Sequence, residues 1–244
     1  MKLQIASLTT LPEIRPGDAL APLIRDAASR EGQVIGPGTI LVLAQKIVSK
    51  SEGAMVDLRT IRPSEFAIGW ANQWHKDARA VELVLHQSRR IVRMDRGLIV
   101  SETHHGFVAA NAGVDQSNVP GEEFAVVLPA DPDASARRLR LELNCGAIII
   151  SDSFGRPWRE GLVGVAIGVS GIEAVEDLRG SHDHDGRPLS ATILARADEL
   201  AAAAGLLMPK AGGVPVVLID GFEWERKEGS ARSLVRPREL DLFR

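Results

Sequence analysis

The sequence predicts a mixed α/β protein, and three observations carry that reading. Apolar strand-like segments alternate with helical patterns along the whole chain. No low-complexity linker or clear repeat interrupts them. With 244 residues, 45% of them hydrophobic and 25% charged, the chain is long enough to bury a substantial core as one large or two small domains.

Each element has a local signal. Leu3 to Leu8 alternates as a strand, and Pro16-Gly17 turns the chain into a helix capped by Asp18 that runs to about Ser29. Thr39 to Val48, rich in Ile, Leu and Val, reads as a buried strand, and Thr60 to Gln87 as mostly helical. Three short strands follow over Ile91–Met94, Leu98–Glu102 and Phe107–Ala110, with Asp95-Arg96-Gly97 as the first hairpin turn. Phe124 to Leu128 is a further strand, and Asp133 caps a helix to about Leu143. Ala147 to Ile150 is a buried strand that ends at an acidic loop. Leu162 to Val169 is a strand whose glycines, Gly164 and Gly168, allow close backbone approach. Ser190 to Ala204 is an alanine-rich helix and Val214 to Ile219 the last core strand, with a charged surface extension after Trp224.

Charge and composition exclude several function classes. A formal net charge of −3, with basic residues scattered, argues against a nucleic-acid partner. The single cysteine, Cys145, excludes a disulfide framework and a cysteine-cluster zinc site, and its apolar surroundings mark it as an inert core thiol. Met1-Lys2-Leu3-Gln4-Ile5 enters a strand pattern directly, with no signal peptide, and no apolar run is long enough to span a membrane. A cytoplasmic protein without a membrane partner is the expectation.

Two acidic motifs carry the chemistry. Asn111-Ala112-Gly113-Val114-Asp115-Gln116-Ser117-Asn118 and Ser151-Asp152-Ser153-Phe154-Gly155-Arg156-Pro157-Trp158-Arg159 each set an aspartate beside hydroxyl or amide side chains at the end of an apolar strand. Hard divalent cations are held by one or two carboxylates with hydroxyls, waters and substrate phosphates, so two such half-sites read as a metal–nucleotide centre. In Gln45-Lys46-Ile47-Val48-Ser49-Lys50-Ser51-Glu52-Gly53 a lysine leaves a core strand, placed to meet a phosphate as a point charge or simply to be solvated. No GxxxxGK[ST] stretch is present, which excludes a P-loop. His104-His105 would face opposite sides of a strand, and His182-Asp183-His184-Asp185 sits in a polar turn, so neither reads as a transition-metal site. Trp70 and Trp74, four apart, have the spacing of a core or oligomer contact, whereas Arg156 and Arg159 beside Asp152 suit an anionic substrate.

Taken in order, Leu11-Pro12-Glu13-Ile14, Ile47 to Gly53, His105-Gly106-Phe107-Val108, Asn111 to Asp115 with Ser117-Asn118-Val119, and Ser151 to Arg159 resemble the coenzyme F420-0:L-glutamate ligase (F420-0:gamma-glutamyl ligase) family. Asp185-Gly186-Arg187-Pro188-Leu189, Ala197-Asp198-Glu199-Leu200 and Val214-Pro215-Val216 extend the match over nearly the whole chain. The resemblance implies an unusual two-domain α/β fold with mixed sheets and an intertwined homodimer. Its subdomains would be about 1–85 with 190–244, and about 86–189. It also implies a GTP-dependent ligase that adds L-glutamate to the phospholactyl carboxylate of the deazaflavin coenzyme F420-0, with further γ-linked glutamates, through an acyl phosphate. The cofactor would be a divalent metal, Mg²⁺ or Mn²⁺, with K⁺ alongside, and GTP a co-substrate.

Carried over position by position, Asp115 and Asp152 resemble the ligands of one divalent metal, and Ser153 stands where threonine is usual as a ligand of the second. Asn118, Lys50 and the Leu11, Pro12, Glu13, Ile14 turn resemble GTP contacts. Asp115, Asp152 and Lys50 would then serve the chemistry. Two positions depart from the pattern: Gln45 replaces a small hydroxyl residue at a nucleotide contact, and Lys210 stands where an acidic or amide metal ligand occurs. A metal-dependent phosphohydrolase, and a nucleotide-binding paralogue that is inactive or acts on another carboxylate, remain alternative readings.

Overall fold

The computed structural model describes residues 2–119 and 121–241. Its elements begin with β1 (Gln4–Leu8), α1 (Leu20–Arg30), β2 (Ile40–Ala44), α2 (Gln45–Ser51), β3 (Met55–Asp57), α3 (Glu65–Trp74) and α4 (Ala78–His86). Next come β4 (Ser88–Asp95), β5 (Leu98–Thr103), β6 (Val108–Ala110), β7 (Phe124–Val126) and α5 (Pro132–Leu143). The chain closes with β8 (Ala147–Arg156), β9 (Arg159–Ser170), β10 (Glu176–Asp177), β11 (Ile193–Leu194), α6 (Arg196–Gly205) and β12 (Val216–Asp220). Strands and helices are interspersed throughout, as the alternating patterns predict.

A five-stranded mixed sheet in the order β1-β12-β2-β8-β9 organises the main core. Only β2 and β8 run parallel, with Ile40 opposite Ala147 and Leu43 opposite Ile150. All eight residues of that central register are fully buried, which is why both segments read as unbroken apolar runs. Within this sheet β8 and β9 come from the 86–189 part of the chain and the other three strands from 1–85 with 190–244. A separate meander, β4-β5-β6, turns at Arg96 and Gly97, both with positive φ as the Asp95-Arg96-Gly97 signal requires. Ile99 of this meander closes a second apolar cluster with Ala67, Ala71, Val81 and Val84 of α3 and α4. Trp70 packs against that cluster, its ring 5.8 Å from Trp74.

Several boundaries differ from the sequence expectation because local hydrogen bonds set them elsewhere. Asp18 does not cap α1; its carboxylate accepts from the Arg15 amide at 2.7 Å and closes the preceding turn. The strand through Ala44 gives way to α2 at Gln45 rather than continuing to Val48, since the amides of Glu52 and Gly53 find helical carbonyls at Val48 and Lys50. The long helical stretch breaks at His75, which is left-handed, and restarts where Asp77 accepts from the Arg79 amide. Asp131, not Asp133, caps α5. Asp133 instead accepts from the amides of Val169 and Ala231 and from the Ser230 hydroxyl. The alanine-rich helix starts at Arg196 rather than Ser190.

The second acidic motif is not a loop. β8 continues through it to Arg156, with Asp152 opposite Val165 of β9. The tail after Trp224 is also tied down: Glu228 accepts from Ser170 and pairs with Arg137 and Arg140, and Ala231 is buried. Among the described residues no helix is long and apolar enough to cross a membrane.

Candidate functional site

A cleft of about 1150 Å³ opens where the parallel strands β2 and β8 reach their carboxyl ends. Crevices at such strand ends are the usual binding places of open α/β sheets, because loops and helix starts converge there. The turn of Leu11, Pro12, Glu13 and Ile14, the start of α2 with Gln45, Lys46 and Lys50, and Asn118 form one part of its wall. Ser151, Asp152 and Ser153 of β8, Gly164 of β9 and the Leu206 to Pro215 segment with Lys210 form the rest. The sequence-predicted residues are therefore brought together, with Asp115 reaching the cleft through Lys46, which it binds at 2.8 Å.

Lys50 is a buried lysine, not a solvated one. It is 5% exposed, and its ammonium donates to the carboxylate of Glu13, whose side chain is largely open to solvent. Gln45 is 2% exposed; its Oε1 accepts from the Ser49 hydroxyl at 2.8 Å, while among the described residues its buried Nε2 has no partner. A buried amide donor left unpaired costs about 1–3 kcal/mol, a cost that a bound acceptor in the cleft removes.

Lys46 is the site residue that motif reading passed over. Its ammonium bridges the Asp115 carboxylate and the Ser117 hydroxyl. The available signal was spacing: Lys46 and Lys50 are one turn apart on α2, so their side chains lie on one helical face.

Asp115 is positioned by its backbone. Its N–H donates to Val126 at 3.0 Å and its carbonyl accepts from Val126 at 2.8 Å, a bridge to β7. The preceding residues Asn111, Ala112 and Gly113 are all left-handed. Asparagine and glycine accept that region readily, and a Cβ at Gly113 would lie 2.7 Å from Leu128. Asn118 is left-handed too, which fits its loop position.

The two aspartates titrate in opposite directions. Burial opposes ionisation of Asp115, but the Lys46 ammonium and the Ser117 amide and hydroxyl outweigh it and hold the carboxyl below its ordinary range. Burial pushes Asp152 up to about 6; the Ser153 amide and the charges of Lys210 and Lys46 pull against that shift, and Asp115 adds to it. The 2.8 Å bond from the Ser153 amide is the hydrogen bond that the Asp152 carboxylate makes among the described residues. It is an acceptor group short of positive charge.

That deficit fits a hard divalent cation. Two carboxylates and the Ser153 hydroxyl are oxygen donors, and among the described residues no cluster of three or more His, Cys, Asp or Glu side chains offers a complete cage. Phosphate and water oxygens would have to complete the shell, as is normal for Mg²⁺ or Mn²⁺. The histidines lie elsewhere: His104 and His105 hold backbone carbonyls through Nε2, and His182 and His184 sit in an exposed turn. Cys145 is buried and its thiol pushed up to about 12, which leaves it inert.

The chain is similar to known proteins over most of its length. The family model described as F420-0:Gamma-glutamyl ligase matches residues 9–221. The chain is 45% identical to the coenzyme F420:L-glutamate ligase of Methanothermobacter thermautotrophicus, over 100% of both chains. It is 45% identical to the protein of the same name from Methanopyrus kandleri, over 99% of this chain and 98% of that one. Against the Halorubrum lacusprofundi protein of that name the identity is 37%, over 93% and 91%. The chain belongs to the F420-0:gamma-glutamyl ligase family.

Proposed function

We propose that this protein is a GTP-dependent ligase that joins L-glutamate to the terminal carboxylate of coenzyme F420-0. The observation that carries the reading is the cleft itself: the carboxylates of Glu13, Asp115 and Asp152, three lysines and a Gln45 amide unpaired among the described residues converge at the end of the parallel strands. Relatives aligned over nearly the full chain are named coenzyme F420:L-glutamate ligase.

A free carboxylate is a poor acyl donor, so the reaction divides into two transfers. The coenzyme carboxylate oxygen bonds to the γ-phosphorus of GTP, the bond to the bridging oxygen breaks, and GDP leaves with that electron pair. The glutamate amine then bonds to the acyl carbon, the carbon–oxygen bond to phosphate breaks, inorganic phosphate departs, and the amine's extra proton passes to solvent. Lys50 and Lys46 hold the phosphates as fixed cations, and the Gln45 Nε2 donates to an oxygen of the nucleotide. Glu13 keeps the buried Lys50 paired until phosphate replaces it. Asp115 and Asp152 would hold a divalent ion, which when bound neutralises charge on the transferring phosphoryl group. No side-chain nucleophile is required, in keeping with the inert Cys145.

The test is coupling. GTP turnover should require both glutamate and the coenzyme. Turnover with water alone would instead favour a phosphohydrolase, and GTP binding without product a non-catalytic paralogue.

A further inference from the structure

A second pocket, of about 540 Å³, shares no lining residue with the cleft. It forms between the β4-β5 hairpin and the C-terminal segment, where Val235 packs beside Gly106. Among the described residues, five arginines enter its wall, Arg89, Arg90, Arg232, Arg236 and Arg238, with one carboxylate, that of Glu102. Glu102 is already engaged, 3.2 Å from Arg90 and 3.6 Å from Arg89. Among the described residues Arg232, Arg236 and Arg238 form no ion pair.

One further donor is stranded there: among the described residues the Nη2 of Arg90 is buried without a hydrogen-bond partner. The His105 ring is oriented by Nε2, which lies 2.9 Å from the Pro129 carbonyl and must carry a proton to donate to it. Crowding guanidinium groups in a concavity and leaving one N–H unpaired both cost stability, and such costs persist where a ligand offsets them. The chain as a whole is acidic at −3, so this is a local feature and not general basicity. Planar guanidinium forks match phosphate and carboxylate oxygens, and a pocket of this size takes a small molecule.

We propose that this pocket is an anion site for a small molecule bearing two or more phosphate or carboxylate groups, distinct from the cleft. Binding is tested by calorimetry in metal-free buffer with two probes, pyrophosphate and γ-linked triglutamate, which separate phosphate from carboxylate recognition. The proteins are wild type, Arg236→Gln/Arg238→Gln and Lys50→Met. Both arginines are exposed, so the double variant should fold, and a thermal melt checks it. At least one probe should bind wild type and Lys50→Met equally, with affinity lowered roughly tenfold or more by the arginine changes. No binding of either probe to wild type, wild-type affinity in the arginine variant, or loss of binding in Lys50→Met would each overturn the proposal. The readout is binding alone, so it is independent of whether ligation occurs in the cleft.

Discussion

Asp152 is the residue at which stability and function pull hardest against each other. Its carboxyl titrates at about 6 in the folded chain against an ordinary 3.8, so the folded state holds a proton that the unfolded state has released. Stability from this group is therefore full below pH 3.8 and is lost as pH rises through about 6, a change of about 3 kcal/mol. Asp152→Asn should melt higher than wild type above pH 6 in metal-free buffer, lose that advantage toward pH 4, and have no ligase activity. Asp115 runs the other way: its depressed pKa adds stability above its ordinary 3.8 that is lost as pH falls through the folded value. Asp115→Asn should thus cost stability at neutral pH, leaving Lys46 unpaired, and should also abolish ligation. Equal melting curves for the two variants across this range would contradict both assignments. Lys50→Met is expected to weaken GTP binding by about 1.5–3 kcal/mol while sparing the coenzyme, measured by titration calorimetry. Gln45→Met should likewise lower GTP affinity, because it removes the Nε2 donor from the cleft wall, as calorimetry would show. The aspartates and Lys50 were legible as motifs, and the Leu11 to Ile14 turn only through the family resemblance. Lys46 was not, because an ion pair with Asp115, sixty-nine positions away in sequence, exists only once α2 and the Asp115 loop meet.

Among the elements, β9 shows most directly how packing shapes the site. A Cβ on Gly164 would lie 2.6 Å from the Ala201 carbonyl of α6, and one on Gly168 2.5 Å from the Pro132 carbonyl of α5. Aspartates in the first turns of those same helices hold the strand: Asp198 accepts from the Ala166 amide and Asp133 from the Val169 amide, each at 2.8 Å. Gly164→Ala and Gly168→Ala should each destabilise by about 1–3 kcal/mol in denaturant titrations, the cost of forcing helix and strand apart. Gly164→Ala should also disturb the cleft, which that residue lines. The close approach at both glycines was readable from a strand with missing side chains. The extension of β8 through Ser151 to Arg156 was not, since Ser, Asp, Gly and Arg are ordinary loop residues. Pairing with β9 overrides that local preference. The start of α2 was hidden for a related reason: Ile47 and Val48 continue the apolar character of β2, and periodicity does not separate a short buried strand from a buried helix.

For the whole molecule, the alternation of elements foretold a mixed α/β architecture, whereas the sheet order depends on pairings between distant segments such as β1 with β12. Two large apolar side chains of the cleft are open to solvent, Leu206 at 82% and Leu162 at 63% exposure. Their burial in a homodimer is our proposal, and sedimentation should give twice the chain mass for wild type and a lower average mass for Leu206→Asp. A monomer at all concentrations would remove it. We propose that the cleft couples GTP cleavage to amide formation. Mass spectrometry of F420-0 after incubation with the protein, GTP, Mn²⁺ and L-glutamate tests it most directly. We expect the coenzyme to gain the mass of a glutamyl residue, with GDP and phosphate formed in step and nothing formed when glutamate is omitted. Unaltered coenzyme alongside hydrolysed GTP would contradict the account.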